Sequence, residues 1–220
     1  MTEPSIKTAV VTGHHPFDLP ALTDLFRALP GIEGYVQSLD DFVVDQAEVR
    51  DWYDAVVFYN FHQETPGPPD DEPWWRRGTR AALERLGKSP QGIVILHHGL
   101  LAYREWSLWS DIVGIEHRGS GYHPNEQVLV QIEDPEHPIT AGLQDFEIVD
   151  ETYTVDEPKP DNHILLTTDH PRSMRALAWT RLYKQARVFC YESGHDAQAY
   201  QNPNFQKVLA RGLAWVSRRI

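Results

Sequence analysis

Gly92-Ile93-Val94-Ile95-Leu96-His97-His98-Gly99 is an apolar, β-branched run that ends abruptly in two imidazoles and a glycine. A segment apolar at every position fits a strand covered on both faces, the usual state of strands in parallel sheets flanked by helices. Three other segments repeat the pattern. Thr8-Ala9-Val10-Val11 runs into Thr12-Gly13-His14-His15, Ala55-Val56-Val57-Phe58-Tyr59 into Asn60-Phe61-His62, and Arg187-Val188-Phe189-Cys190-Tyr191 into Glu192-Ser193-Gly194-His195-Asp196. Tyr35 to Leu39 reads as a further strand. Helical spacing links Leu22, Leu25, Phe26 and Leu29 before Pro30-Gly31 stops the helix. Trp74 to Leu86, Leu100 to Val113 and Asn204 to Val216 also read as helices. Strand and helix in alternation predict an α/β fold with a mostly parallel central sheet and helices on both faces.

Beyond Gly114 the texture changes. Gln127-Val128-Leu129-Val130-Gln131-Ile132 alternates polar and apolar residues and stops at Asp134-Pro135. A strand ending near Val149, with Ile164 to Thr168 and Ala176 to Tyr183, extends a middle region read as antiparallel hairpins. Gln63 to Pro73, rich in proline and acid, reads as a loop over a cleft. Residues 1–220 are read as one domain, since 41% apolar residues and seven tryptophans are ample for a core.

A formal net charge of −12 argues against nucleic acid or an anionic membrane as the partner, because both demand a dense cationic face. Met1-Thr2-Glu3-Pro4-Ser5-Ile6-Lys7 lacks the apolar core of a secretion signal, so a cytoplasmic protein is expected. Cys190, the sole cysteine, falls inside a strand and reads as a small core residue.

In open α/β sheets ligands bind outside the carboxyl ends of the strands. Four such ends here each deliver histidine to one edge of the sheet: His15, His62, His97 with His98, and His195. Scattered surface histidines would not choose one edge four times, so a histidine-rich cleft is the expected site. Neutral imidazole serves equally as an acid/base near pH 7 and as a metal ligand, and both chemistries stay open. Ile95-Leu96-His97-His98-Gly99 has the strand-to-helix shape of a nucleophile elbow, yet the elbow residue is His97 and no serine or cysteine occupies the turn. Acyl transfer by the usual nucleophile is therefore not expected.

At these residues the chain resembles the ThuA-like family, named for trehalose utilisation, within the class I glutamine amidotransferase-like superfamily. The carriers are Val11-Thr12-Gly13-His14-His15-Pro16-Phe17, Ile95 to Gly99 with Trp106, and Asp134-Pro135-Glu136-His137-Pro138-Ile139-Thr140-Ala141-Gly142-Leu143. Asp150-Glu151-Thr152-Tyr153, Ala178-Trp179 and Gly194-His195-Asp196 continue them to nearly the whole length. The resemblance implies a flavodoxin-like three-layer sandwich, loss of the amidotransferase cysteine, and a role in carbohydrate metabolism, often beside a sugar dehydrogenase that makes keto-sugars. It also implies that Glu151 and Tyr153 lie near the cleft.

The expected reading is a protein that acts on or binds a sugar or keto-sugar by acid/base chemistry, without amidotransferase activity. His97, His98, His195 and Glu151 are the expected catalytic groups. His15, Asn60, His62, Tyr103, Trp106, Tyr153 and Asp196 are the expected substrate contacts. A pH profile governed by groups near 6 to 7 follows from the imidazoles. No cofactor is firmly implied, and a divalent metal is the open alternative, as in a metal-dependent hydrolase. A non-catalytic sugar-binding accessory protein is the other. His117 and His123, around Gly119-Ser120-Gly121-Tyr122, read as part of a lid. His137, between two prolines, reads as structural, and Trp215 as core. Aromatics around Trp74 and Trp106 are the candidate contact surface of a homo-oligomer.

Overall fold

The run Ala55–Asn60 is buried at every position because it lies in the middle of a nine-stranded sheet. In the computed structural model, which describes residues 4–119 and 121–220, the first half of the chain supplies β1 (Ile6–Gly13), β2 (Ile32–Ser38), β3 (Ala55–Asn60) and β4 (Gly92–Leu96). The middle supplies β5 (Gly121–Ile132), β6 (Phe146–Thr154), β7 (His163–Thr167) and β8 (Ala176–Tyr183), and β9 (Ala186–Tyr191) returns to the centre. The strand order is β2-β1-β3-β4-β9-β8-β7-β5-β6. Its first five strands are parallel, in the 2-1-3-4-5 order of doubly wound sheets that change direction between their first and third strands. From β9 through β8, β7 and β5 to β6 every pairing is antiparallel. The sheet is thus evenly mixed where a mostly parallel one is expected, because the whole middle region pairs onto the edge beyond β9.

Two apolar clusters cover the two faces. Val10, Val57, Val94 and Phe189 point toward α1 (Leu19–Ala28) and the C-terminal helix, while Val11, Val56, Ile95 and Cys190 point toward the other set of helices. That set comprises α2 (Leu39–Val44) and, after the one-turn α3 (Ala47–Arg50), α4 (Thr79–Glu84) and α5 (Ser107–Val113). The four-residue α6 (Ala197–Tyr200) leads into α7 (Pro203–Val216). Proline opens α7, and the Asn202 side chain accepts from the amides of Asn204 and Phe205. No helix among the described residues is long and apolar enough to cross a membrane.

Two helices expected from the sequence are shorter than their patterns. Between Trp74 and Leu86 only Thr79–Glu84 is helical, because Trp74 and Trp75 are exposed and give a helix nothing to bury. Between Leu100 and Val113 a 3-10 turn over His97–Leu101 comes first. Tyr103 then takes a left-handed φ of 47° that breaks the helix until Ser107. Trp215 is half-buried under Arg187 rather than enclosed in the core. Ser120, the centre of the expected lid, and Met1 to Glu3 lie outside the described residues.

The 3-10 turn that follows β4 packs directly on β3. A Cβ at Gly99 would collide with the carbonyl oxygen of Phe58, and the buried Trp109 indole donates to the Gly99 carbonyl at 2.9 Å. Gly99→Ala should therefore lower stability by about 2 kcal/mol through overpacking, read as a fall in the urea midpoint at unchanged slope. An unchanged midpoint would mean that the turn is not seated as described.

Candidate functional site

The turn His97–Leu101 places His97 at the carboxyl end of β4 with a φ of 49°, a left-handed conformation that a non-glycine residue adopts at a cost of about 1 kcal/mol. His14, after β1, has a φ of 59°. With Tyr103, three non-glycine residues near one edge of the sheet hold this conformation, and the surrounding bonds show how. The buried guanidinium of Arg118 donates to the carbonyls of Leu100, Ala102, Tyr103 and Arg104, and the Tyr103 amide donates to the His62 carbonyl at 2.6 Å.

His97 is fully buried and both ring nitrogens are engaged. Nδ1 lies 2.6 Å from the Glu192 carbonyl oxygen, which can only accept, so Nδ1 carries the proton. In the neutral ring Nε2 then presents a lone pair, and the Tyr153 hydroxyl sits 2.6 Å from it. Glu151 faces the same nitrogen at 3.6 Å through Oε1, and its Oε2 lies 4.0 Å from His195 Nε2. The ring centroids of His97 and His195 are 5.2 Å apart. His97, Glu151 and His195 form a three-ligand set whose ligand atoms all lie within 4.8 Å of one another. Burial raises the affinity of Glu151 for a proton, but the facing imidazoles of His97 and His195 outweigh it and hold the carboxyl below its ordinary range.

Two carboxyl groups that the sequence reading leaves out of the site organise it. The side chain of Asp150 is buried and accepts from the amides of Glu151 at 2.9 Å, Gly194 at 2.6 Å and His195 at 3.0 Å. Burial raises its pKa, partly offset by His97 and these amides. The Glu192 carboxyl is buried as well and accepts from the Tyr153 amide at 3.0 Å, and desolvation drives its pKa well up. One signal for Asp150 was present in the sequence. Phe146, Ile148 and Asp150 occupy the inward phase of an alternating strand, so a carboxylate stands where an apolar residue belongs.

Around this centre the other histidines fall into two groups separated by Phe61. The His15 ring stacks on His98 at 4.2 Å and meets His195 edge-on at 5.6 Å, and its Nδ1 donates to the Pro16 carbonyl at 2.7 Å. His98 is buried between His15 and Tyr59. It donates from Nε2 to the Tyr59 carbonyl at 3.0 Å, and its Nδ1 has no partner. Desolvation pushes its pKa well below the ordinary value, so it stays neutral at pH 7; the catalytic role expected of it gives way to supporting the His15 ring. On the other side, exposed His14 stacks on buried His62 at 3.8 Å. The Asn60 amide nitrogen donates to His62 Nδ1 at 3.3 Å and to the Tyr103 hydroxyl at 3.4 Å.

Of the expected contacts, His15 and Tyr153 lie at the His97 centre with the expected catalytic groups Glu151 and His195, whereas Asn60, His62 and Tyr103 form the neighbouring group. Trp106 is buried against Tyr103 in the apolar core, which takes it out of both the site and any exposed surface. Asp196 caps α6 by accepting from the Gln198 amide and stands 3.9 Å from His195 Nδ1. Cys190 is fully buried and desolvation pushes its thiol far up, so no nucleophile is available there. His137 makes local turn bonds to Ile139, Thr140 and Ala141, far from this centre in its contacts.

A family model described as ThuA, trehalose utilisation, matches residues 9–216. The chain belongs to the ThuA family. Among solved structures, a protein described as ThuA-like from Parabacteroides merdae superposes with a TM-score of 0.74 at 20% identity, covering 97% of this chain and 90% of that one. A cytoplasmic protein of Salmonella typhimurium gives 0.65 at 12% identity, covering 94% and 98%. A glutamine amidotransferase of Thermotoga maritima gives 0.54 at 10% identity, covering 96% and 98%. At these identities the likeness is one of fold, and it ties this ThuA chain to the amidotransferase type of α/β sheet. No curated protein sequence matches the chain.

Burial, with His14 and Arg76 nearby, lowers the pKa of His62 from 6.5 to about 3. Between those values the unfolded chain holds a proton that the folded chain refuses, so stability falls as pH drops from 6.5 toward 3. The full effect is about 1.4 kcal/mol per pH unit. His62→Gln should therefore show a shallower loss of stability between pH 6.5 and pH 5 than the native chain, measured by urea unfolding at each pH. Identical slopes would mean that His62 titrates normally in the fold.

Proposed function

We propose that this ThuA-family protein acts on a sugar or keto-sugar at the His97, Glu151 and His195 cluster, by proton transfer beside a carbonyl. The supporting frame is a flavodoxin-like three-layer scaffold in the cytoplasm, with the ligand entering between the partly exposed rings of His15 and His195. The observation that carries the reading is the convergence of Tyr153 Oη and the Glu151 carboxylate on one nitrogen of His97, with His195 on the far side of the carboxylate. Isomerisation or elimination needs a group that removes a proton next to a carbonyl and a donor for the oxygen that becomes negative. Glu151 or His195 fits the first task, and the Tyr153 hydroxyl the second.

Two other chemistries fit less well. Amidotransfer needs a thiolate at the elbow, where His97 stands, and Cys190 lies out of reach within β9. Displacement at an anomeric carbon uses two carboxyl groups facing the scissile bond. Here Glu151 lies between the two imidazoles, whereas Asp150 and Glu192 Oε1 bond to backbone amides and Asp196, 3.9 Å from His195 Nδ1, caps α6.

The test is turnover of a panel of keto-monosaccharides and keto-disaccharides followed by NMR. His195→Ala and Glu151→Gln should each cost on the order of 100-fold or more in kcat/KM, as loss of a general acid or base does. Turnover that survives replacement of both His97 and His195 by Ala would defeat the reading. Calorimetric binding of the same sugars with no turnover under any condition would make the chain a sugar-binding accessory protein instead.

A further inference from the structure

We infer that His97, Glu151 and His195 bind a single divalent first-row transition ion. The inference rests on the reading of this cluster as the reaction centre and adds to it the electrophile that would polarise a carbonyl or hydroxyl oxygen of the substrate.

Three features of the structure lead to it. The first is the spacing of the three groups. His97 Nδ1 donates to the Glu192 carbonyl, and His97 Nε2 stands 3.6 Å from Glu151 Oε1, too long for a hydrogen bond. His195 Nε2 stands 4.0 Å from the other carboxylate oxygen. Ligands about 2.1 Å from a tetrahedral ion are about 3.4 Å from each other, so small side-chain rotations bring all three atoms to bonding distance. The second is charge. Glu151 is buried, and among the described residues no lysine or arginine forms an ion pair with it. A dication would supply the positive charge this carboxylate lacks. The third is orientation. Metal-bound imidazoles characteristically donate their second N–H to a backbone carbonyl or carboxylate, which is the bond His97 makes to Glu192.

Two imidazoles and one carboxylate suit zinc, manganese or iron rather than magnesium or calcium, which prefer all-oxygen shells. The Tyr153 hydroxyl, 2.6 Å from His97 Nε2, is the group the ion displaces. Once displaced it remains beside the reaction centre as a donor.

Calorimetry of the untagged, chelator-treated full chain with Zn²⁺ and with Mn²⁺ tests the inference, with thermal melts to establish that each variant is folded. One equivalent of at least one ion should bind. Glu151→Gln and His195→Ala should each weaken binding on the order of 100-fold, whereas Tyr153→Phe, which frees the Nε2 lone pair, should bind at least as tightly as the native chain. Absence of saturable binding by either ion overturns the inference, and so does binding that the folded Glu151→Gln/His195→Ala double variant retains. The outcome is separable from that of the proposed function. Keto-sugar turnover by chelator-treated protein that binds no ion removes the metal and leaves the reaction; stoichiometric ion binding without turnover on any sugar does the reverse.

Discussion

The carboxylate of Asp150 is the constraint on which the site depends. It sits in β6, the far edge of the sheet, yet it receives the amides of Gly194 and His195 from the loop that leaves the central strand β9. Its third bond, from the Glu151 amide, fixes the next residue of β6 as well. One buried carboxylate thereby sets the backbone of Glu151 and of His195, which are 44 residues apart in sequence but adjacent in space. The Tyr59 hydroxyl completes the arrangement by donating to the His195 carbonyl at 2.8 Å. A buried carboxylate lacking such donors would cost several kcal/mol in desolvation. Three amide bonds to it turn that liability into a tether, and an apolar residue of the same volume could not tether both strands.

How much of this is legible in sequence follows from the range of each interaction. The four runs ending in histidine are local patterns, and they correctly locate the edge of the sheet at which His15, His62, His97 and His195 emerge. Glu151 and Tyr153 are different. Their nearness to His97 depends on β6 pairing with β5 and on long-range bonds such as that of the Tyr153 hydroxyl to His97, which alternation within Phe146 to Val149 cannot announce. The resemblance to a family points to these two residues; periodicity does not. The failed readings have the same origin. Trp74 to Leu86 has helical spacing, but spacing describes a helix only where the tertiary structure supplies a surface to bury its face, and here the two tryptophans remain in water. Trp106 reads as a sugar platform by residue type, yet Tyr103 and the α5 core claim it.

The turn after β4 is sharp and left-handed at His97, and Gly99 lets it lie against β3. Here the side chain at the turn is fully buried and ends in a nitrogen that is held as an acceptor, because the Glu192 carbonyl has taken the proton on the other nitrogen. The strained φ of 49° therefore directs Nε2 toward Glu151 and Tyr153.

The histidines of this edge are not equivalent, and the bond each ring makes with the backbone separates them. His98 spends Nε2 on the Tyr59 carbonyl, and its other nitrogen is shut away without a partner, so the ring is a neutral wall under His15. His62 is likewise buried and neutral beneath His14. His97 and His15 instead spend Nδ1, which leaves Nε2 of each as the free or functional atom. His195 alone has its backbone fixed from both sides while its ring remains about a quarter exposed, side-chain accessibility being 28%. A ring that is held in place but still wetted is the one that can meet a ligand arriving from solvent. That makes His195 the outer jaw of the cluster and His97 its buried floor, with Glu151 between them able to answer to either.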